Sequence, residues 1–305
     1  MPVALILEFG GVGYSILFIF HISLGTSIVV INVSVLLALL IRRFFLKENR
    51  FLFMLSTCVS DLGTGISWYY SGLFDALDAF PPRNGTYYVA PTFMGLSYLV
   101  TLAAQADRYH AVVSPFRYAL RMTRAKTGIV IFCLWIYAYA VVATQNLVTS
   151  AVGMKISGIG SLICNLITYI IMVGLNIKLY LIAKYQLERE PHSAERENKR
   201  SSLYLIIVVA SCFLAFWLPI FLNVIACSFS RRFCLRFRAD GLDPLKILPR
   251  LNAVVTPALY IRGCAPLRKI MMTRVWKCCH RISSRINPDP GDQIANSVEC
   301  WQQNL

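Results

Sequence analysis

The stretch Ser202–Cys227, SLYLIIVVASCFLAFWLPIFLNVIAC, contains no charged side chain, and Pro219 is its only proline. About 20 helical residues cross a hydrocarbon layer of ~30 Å, so this run is long enough to span a bilayer. In hydrocarbon every backbone N–H and C=O must be satisfied within the protein, and a run of this length that does not alternate in polarity meets that demand as a helix, not as a barrel strand. Comparable apolar stretches lie outward from it on both sides, at approximately 14–41, 50–74, 87–111, 126–149, 158–184 and 244–262. The chain of 305 residues is 57% hydrophobic and 15% charged, more apolar surface than one soluble core of this size hides. The expected fold is an all-α membrane protein, a seven-transmembrane helix bundle over 14–262. A short extracellular N-terminus, 1–13, precedes it; an amphipathic helix eight, 263–279, and a disordered cytoplasmic tail, 280–305, follow.

The orientation follows from the basic residues. With the N-terminus outside, most of the 30 Lys and Arg fall in cytoplasmic segments, among them Arg42, Arg43, Arg117, Arg121, Lys199, Arg200 and the series from Arg262 to Arg285. The outer segments hold few, and four of these, Arg231, Arg232, Arg236 and Arg238, share one loop. The net charge of +15 is thereby explained by attraction to anionic headgroups beside helix ends, and no soluble basic face points to nucleic acid. The first residues, with Glu8 as their only charge, lack the basic start and cleavage site of a secretory signal, so the first span is expected to direct insertion. Residues 186–200 and the tail from about 280 are the sizeable polar segments.

Polar residues inside spans are costly and mark function. Asp107-Arg108-Tyr109 closes the third span, with Ser114-Pro115-Phe116-Arg117-Tyr118 soon after. An acid beside an arginine can pair locally in a resting state, and release would let the planar guanidinium engage another helix or a docked protein; the plainer alternative is a helix-end arginine snorkelling to the interface. Pro219 and Pro257 each remove a helix hydrogen bond and supply hinges. Asp61, in LSTCVSDLGTG, is a buried acid that needs a cation, a proton or several donors. After Arg262 the chain turns at Gly263 and Pro266 into LRKIMMTRVWKCCHRI, whose apolar Leu267, Ile270, Met271, Val275 and Trp276 recur at helical intervals among bases, the pattern of an interfacial helix. Cys278 and Cys279 just beyond are candidates for palmitoylation or remain free thiols. Asn84-Gly85-Thr86 is a candidate glycan acceptor in the first outer loop.

These segments resemble, in order, the rhodopsin-like (class A) G-protein-coupled receptors. The resemblance rests on Asn32 in span one, Asp61 in span two, the Asp107-Arg108-Tyr109 triplet, Trp135 in span four, Phe213-Leu214-Ala215-Phe216-Trp217-Leu218-Pro219 in span six, and Thr256-Pro257-Ala258-Leu259-Tyr260 in span seven, with Thr where the family has Asn. It covers roughly residues 14–279. It implies a plasma-membrane receptor, not an enzyme, that couples to a heterotrimeric G protein through Asp107, Arg108 and Tyr109, with Phe213, Trp217, Pro219, Pro257 and Tyr260 as its conformational relay. It also implies that Asp61, Ser97 and Asn252 surround a sodium ion, the alternative being a hydrogen-bonded polar knot with Asp61 protonated. Aromatic residues at these spacings also serve as simple packing.

The departures point to a branch. The usual disulfide staple at the outer end of span three has no cysteine here, span five has no proline, and Asn176 stands where its tyrosine falls. These absences resemble the melanocortin, cannabinoid and lysophospholipid receptors. Cys227 and Cys234 could close a small disulfide in the third outer loop instead. Lys199 occupies the place of an acid facing Arg108, which leaves a weak resting lock or one supplied by Glu197. Ala90 takes the place of the amine receptors' aspartate, which argues against a monoamine ligand. Lys246 and Arg250 stand four residues apart on one helical face and suit the anionic headgroup of a small-molecule or lipid ligand; the alternative is internal pairing, with Asp75 or Asp243 neutralising Lys246 and helix-end carbonyls accommodating Arg250. His21 borders the same cavity or simply packs. A receptor-fold partner or escort that does not couple is the competing reading. A transporter would need broken or repeated halves, which the sequence lacks, and a hydrolase would need a metal or nucleophile constellation that four scattered histidines do not make.

Overall fold

The computed structural model describes residues 12–41, 48–71, 89–147, 151–186, 194–229, 235 and 244–276. Among the described residues all regular structure is helical, and seven long helices follow one another: α1 (Val12–Ile41), α2 (Asn49–Ser71), α3 (Val89–Val113), α4 (Arg124–Leu147), α5 (Ala151–Leu181), α6 (Ala194–Phe229) and α7 (Pro244–Gly263). A short helix, Pro115–Arg121, joins α3 to α4, and α5 ends in a wider π-helical turn, Ile182–Gln186. α8 (Ala265–Ile270) runs on through a similar turn at Met271–Val275.

Four segments are long and apolar enough to cross a membrane by length and composition: α1, Arg124–Val141 of α4, Leu162–Tyr185 of α5 and its extension, and Leu203–Asn223 of α6. α2, α3 and α7 carry Asp61, the Asp107–Arg108 pair and Arg250, which dilute their apolar character. Those helices are sheltered by neighbours: α2 packs on α1, α3, α4 and α7, and α3 packs on α2, α4, α5 and α6. α1 also packs on α7, closing the bundle on that side. Outward faces are apolar instead, as with Ile19, Val30, Phe132, Ile136, Ile167 and Ile170, all more than a third exposed, which fits a lipid surround better than water.

α6 starts at Ala194, inside the polar segment 186–200. Glu195 and Lys199 lie four residues apart with the acid first, the order that supports a helix, so charge alternation there extends the helix instead of ending it. α5 likewise begins at Ala151, ahead of its apolar run, because Ala, Met and Lys are good helix formers.

Close approach between α1 and α2 depends on Gly65, where a Cβ would stand 2.7 Å from Ile28 Cγ2 and 3.0 Å from Ile28 Cβ. α7 meets α6 in the same way at Gly263, where a Cβ would stand 2.5 Å from Leu205 Cδ1. The chain then turns extended at Cys264 (φ −119°, ψ 95°), and Pro266 opens α8, the helix-start position where a missing N–H does no harm. Leu267 and Met271 are fully buried against Val35, Ala38, Leu39, Phe51 and Met54 of α1 and α2, while Arg268, Lys269 and Arg274 face out. The Trp276 indole N–H donates to Ser34 Oγ at 3.1 Å, fastening this segment to α1.

Candidate functional site

Asp61 on α2, Ser97 on α3 and Asn252 on α7 line one small internal cavity with Thr64, Phe213 and Trp217. It has room for about one water-sized sphere, ≈ 10 Å³. All three polar residues are 2–3% exposed, and Asp61 Oδ2, Ser97 Oγ and Asn252 Oδ1 make no hydrogen bond among the described residues. Three buried oxygens around a single-sphere space, one of them on a carboxyl group, are donors of the kind a hard cation takes and supply part of its shell. The residues therefore fit a sodium ion.

Asn32 explains how α7 tolerates Pro257. A proline has no N–H to give the carbonyl four residues back, here that of Ala253. The Asn32 amide donates to Ala253 O at 2.8 Å and to Ile28 O at 2.8 Å, filling that place from α1. On α6, Phe213 and Trp217 stack at 5.5 Å and 13°, and Tyr98 of α3 stacks on Phe213 at 5.4 Å. Tyr169 of α5 donates its hydroxyl to Leu214 O at 3.3 Å, next to Ala215 O, the carbonyl deprived by Pro219. Tyr260 is buried with Thr57 and Cys58 beside it.

The C-terminal end of α3 is closed by a lock. Asp107, its side chain fully buried, accepts from Arg108 Nη2 at 2.6 Å and Nε at 3.1 Å. Tyr118, on the short helix begun by Pro115, donates to Asp107 Oδ1 at 2.9 Å and accepts from Arg108 Nη2 at 3.1 Å and from Asn49 Nδ2 at 3.0 Å. Burial pushes the Tyr118 hydroxyl above its usual pKa, partly offset by Arg108, so it stays protonated and able to donate. Tyr109 turns away to meet Lys178 of α5, whose Nζ lies 5.7 Å from its ring centre. Arg108, Arg50, Leu205, Ile206 and Tyr260 line a crevice between α2, α3, α6 and α7. The α6 wall of the crevice is apolar, and the side chains of Glu197 and Lys199 lie outside the described residues.

In the half of the bundle away from Arg108, Arg250 of α7 is 2% exposed with its guanidinium 4.1 Å from the Trp68 ring centre. His21 of α1 packs edge-on to Trp68 at 5.0 Å. Arg250 and His21 thus meet through Trp68, an anchor the sequence reading passed over although it stands seven residues, two helical turns, after Asp61 on one face. Tyr118 and Asn49 were similarly unassigned. The side chains of Lys246 and Cys227, and all of Cys234, Cys278, Cys279 and Asn84, lie outside the described residues.

No family model matches the chain. The chain is similar, at low identity, to class A G-protein-coupled receptors of the melanocortin and lysophospholipid branch. It is 25% identical over 190 residues to melanocortin receptor 5 of Mus musculus, covering 59% of this chain and 55% of that one. It is 21% identical over 122 residues to sphingosine 1-phosphate receptor 3 of Takifugu rubripes, covering 39% and 31%. The chain thus spans about half the length of the first relative and about a third of the second. Both relatives are named as receptors.

Proposed function

We propose that this chain is a G-protein-coupled receptor of the plasma membrane, in which α1–α7 each cross the bilayer with the N-terminus outside. Ligand binding favours a bundle state in which α6 swings at Pro219, the crevice under Arg108 widens, and a heterotrimeric G protein docks there. The observation that carries this reading is the buried Asp107–Arg108–Tyr118 lock at the head of that crevice, facing an α6 wall of Leu205 and Ile206 with a proline hinge above it. The ligand we propose is an anionic lipid or similar molecule. Its headgroup charge answers Lys246 and Arg250, four residues apart on α7, the second seated on Trp68 beside His21.

Ligand-free second-messenger output and G-protein recruitment, compared with mock cells at verified surface level, test the reading. Output above mock supports coupling. Full surface expression with neither output nor recruitment, even across a panel of anionic lipids, favours a non-coupling partner of another receptor.

A sodium ion between Asp61, Ser97 and Asn252 would couple the core to ionic conditions. Binding to the folded state stabilises by RT ln(1 + [L]/Kd), ~1.4 kcal/mol at ten times Kd, or a few degrees of melting temperature. Exchanging sodium for choline should lower the melting temperature of the purified receptor by about that much and leave Asp61→Asn unmoved. An unmodified receptor insensitive to the exchange rules the ion out.

A further inference from the structure

We propose that Asn176 is a two-position amide switch that keeps the hydrogen-bond count of the α3–α5 pair unchanged whether or not α6 is in place; the inference rests on the reading that α6 swings at Pro219. In the structure the Gln105 amide of α3 donates from Nε2 to Asn176 Oδ1 at 3.3 Å, and Asn176 Nδ2 donates to Ser211 Oγ of α6 at 2.8 Å. Gln105 is fully buried, and its Oε1 has no hydrogen-bond partner among the described residues. Two side-chain amides that face one another can exchange two N–H···O bonds as a closed pair. Only one of the two is made here: Asn176 Nδ2 donates to Ser211, and neither of its N–H groups is bonded to Gln105 Oε1.

Ser211 lies eight residues before Pro219, on the cytoplasmic side of the hinge, so an outward swing carries it off. The Asn176 NH2 group then closes onto Gln105 Oε1, completing the pair. α3 and α5 hold the same number of hydrogen bonds before and after, and the half-buried Asn176 NH2 group is not stranded in a medium without water, where stranding is most costly. Lys178, two residues on, keeps α5 against Tyr109 of α3, so the two amides stay in reach while α6 moves. Asn176 therefore allows α6 to leave without tilting the balance against the swung state.

Bond counting gives an unusual signature. Gln105→Met removes the acceptor used only in the swung state, so that state loses one bond relative to the closed one. Its population should fall about three- to tenfold, the worth of one interhelical hydrogen bond in a membrane. Ser211→Ala alone should change it less than about twofold, since the amides can pair in both states. Adding Ser211→Ala to Gln105→Met should restore the population, because neither state then has a partner for the Asn176 NH2 group.

The populations are read in the full-length protein as distance distributions between labels carried by unnatural amino acids at Leu120 and Ser201, both exposed, with ligand-free second-messenger output recorded in parallel. Loss with Gln105→Met and recovery in the double variant support the switch. Additive losses overturn it, and so does a rise of more than about threefold with Ser211→Ala alone, which marks a simple latch; that single variant decides if Gln105→Met does not reach the surface. The expected distance pattern without second-messenger output would keep the switch and sink the coupling reading. Output that ignores all three substitutions would do the reverse.

Discussion

Arg108→Ala, matched for surface level, is expected to bring ligand-free output and G-protein recruitment down to those of mock cells. The guanidinium lines the crevice that α6 would open, and its fork is held by two bonds to Asp107 and one to Tyr118. Alanine removes the group a docking protein meets and also leaves the Asp107 carboxylate buried with Tyr118 alone. Removing one partner of a buried pair costs about 3–5 kcal/mol, so the purified variant should also melt lower. Arg108→Lys separates the two effects. A lysine keeps the charge but not the planar fork, so stability should return in part while recruitment stays weak. Undiminished output from Arg108→Ala would show that coupling, if present, uses another surface.

Gly65→Leu should reduce the surface level about tenfold, measured against total expression. The contact it disturbs is not the tip of a flexible side chain. Ile28 is fully buried and β-branched, so it has few rotamers with which to yield. Overpacking of this kind costs about 1–3 kcal/mol, and losses of that size change cellular abundance several-fold. The effect is compounded because α1 against α2 also carries His21 on Trp68 and, through Asn32, the bond that compensates Pro257. Gly65→Ala should be milder. Gly128→Leu and Gly174→Leu, at positions where a Cβ meets nothing within 4 Å, should leave the surface level unchanged; equal loss at all three glycines would refute the packing argument.

The helices were legible because span length and polarity are local properties: Ser202–Cys227 is a spanning run whatever surrounds it. Asp107 and Arg108 were legible as a pair because they are adjacent. What escaped the sequence depends on how helices are rotated and stacked against one another. Asn32 reads as a polar residue in an apolar run, and only the packed bundle shows its amide beside Ala253 O. Tyr118 closes the lock because Pro115 starts a short helix that folds back toward Asp107, a direction no periodicity specifies. Gln105 and Ser211 are unremarkable singly, Asn176 stands out only as a departure from the family's tyrosine, and the three become a network only when their helices meet. The start of α6 was missed for a different reason, since a segment of mixed charge reads equally as linker or as helix.

The joint between the C-terminal segment and α1 bears on how the protein is handled. A chain cut after Gly263 would uncover Val35, Ala38 and Leu39 together with Phe51 and Met54, and would remove the indole N–H that Trp276 now gives to the Ser34 hydroxyl. That bare apolar strip would sit at the edge of the bundle, where detergent or a second molecule would cover it. Fusions and purification tags therefore belong beyond Trp276, and a shorter fragment that aggregates would say more about the missing cover than about the bundle itself.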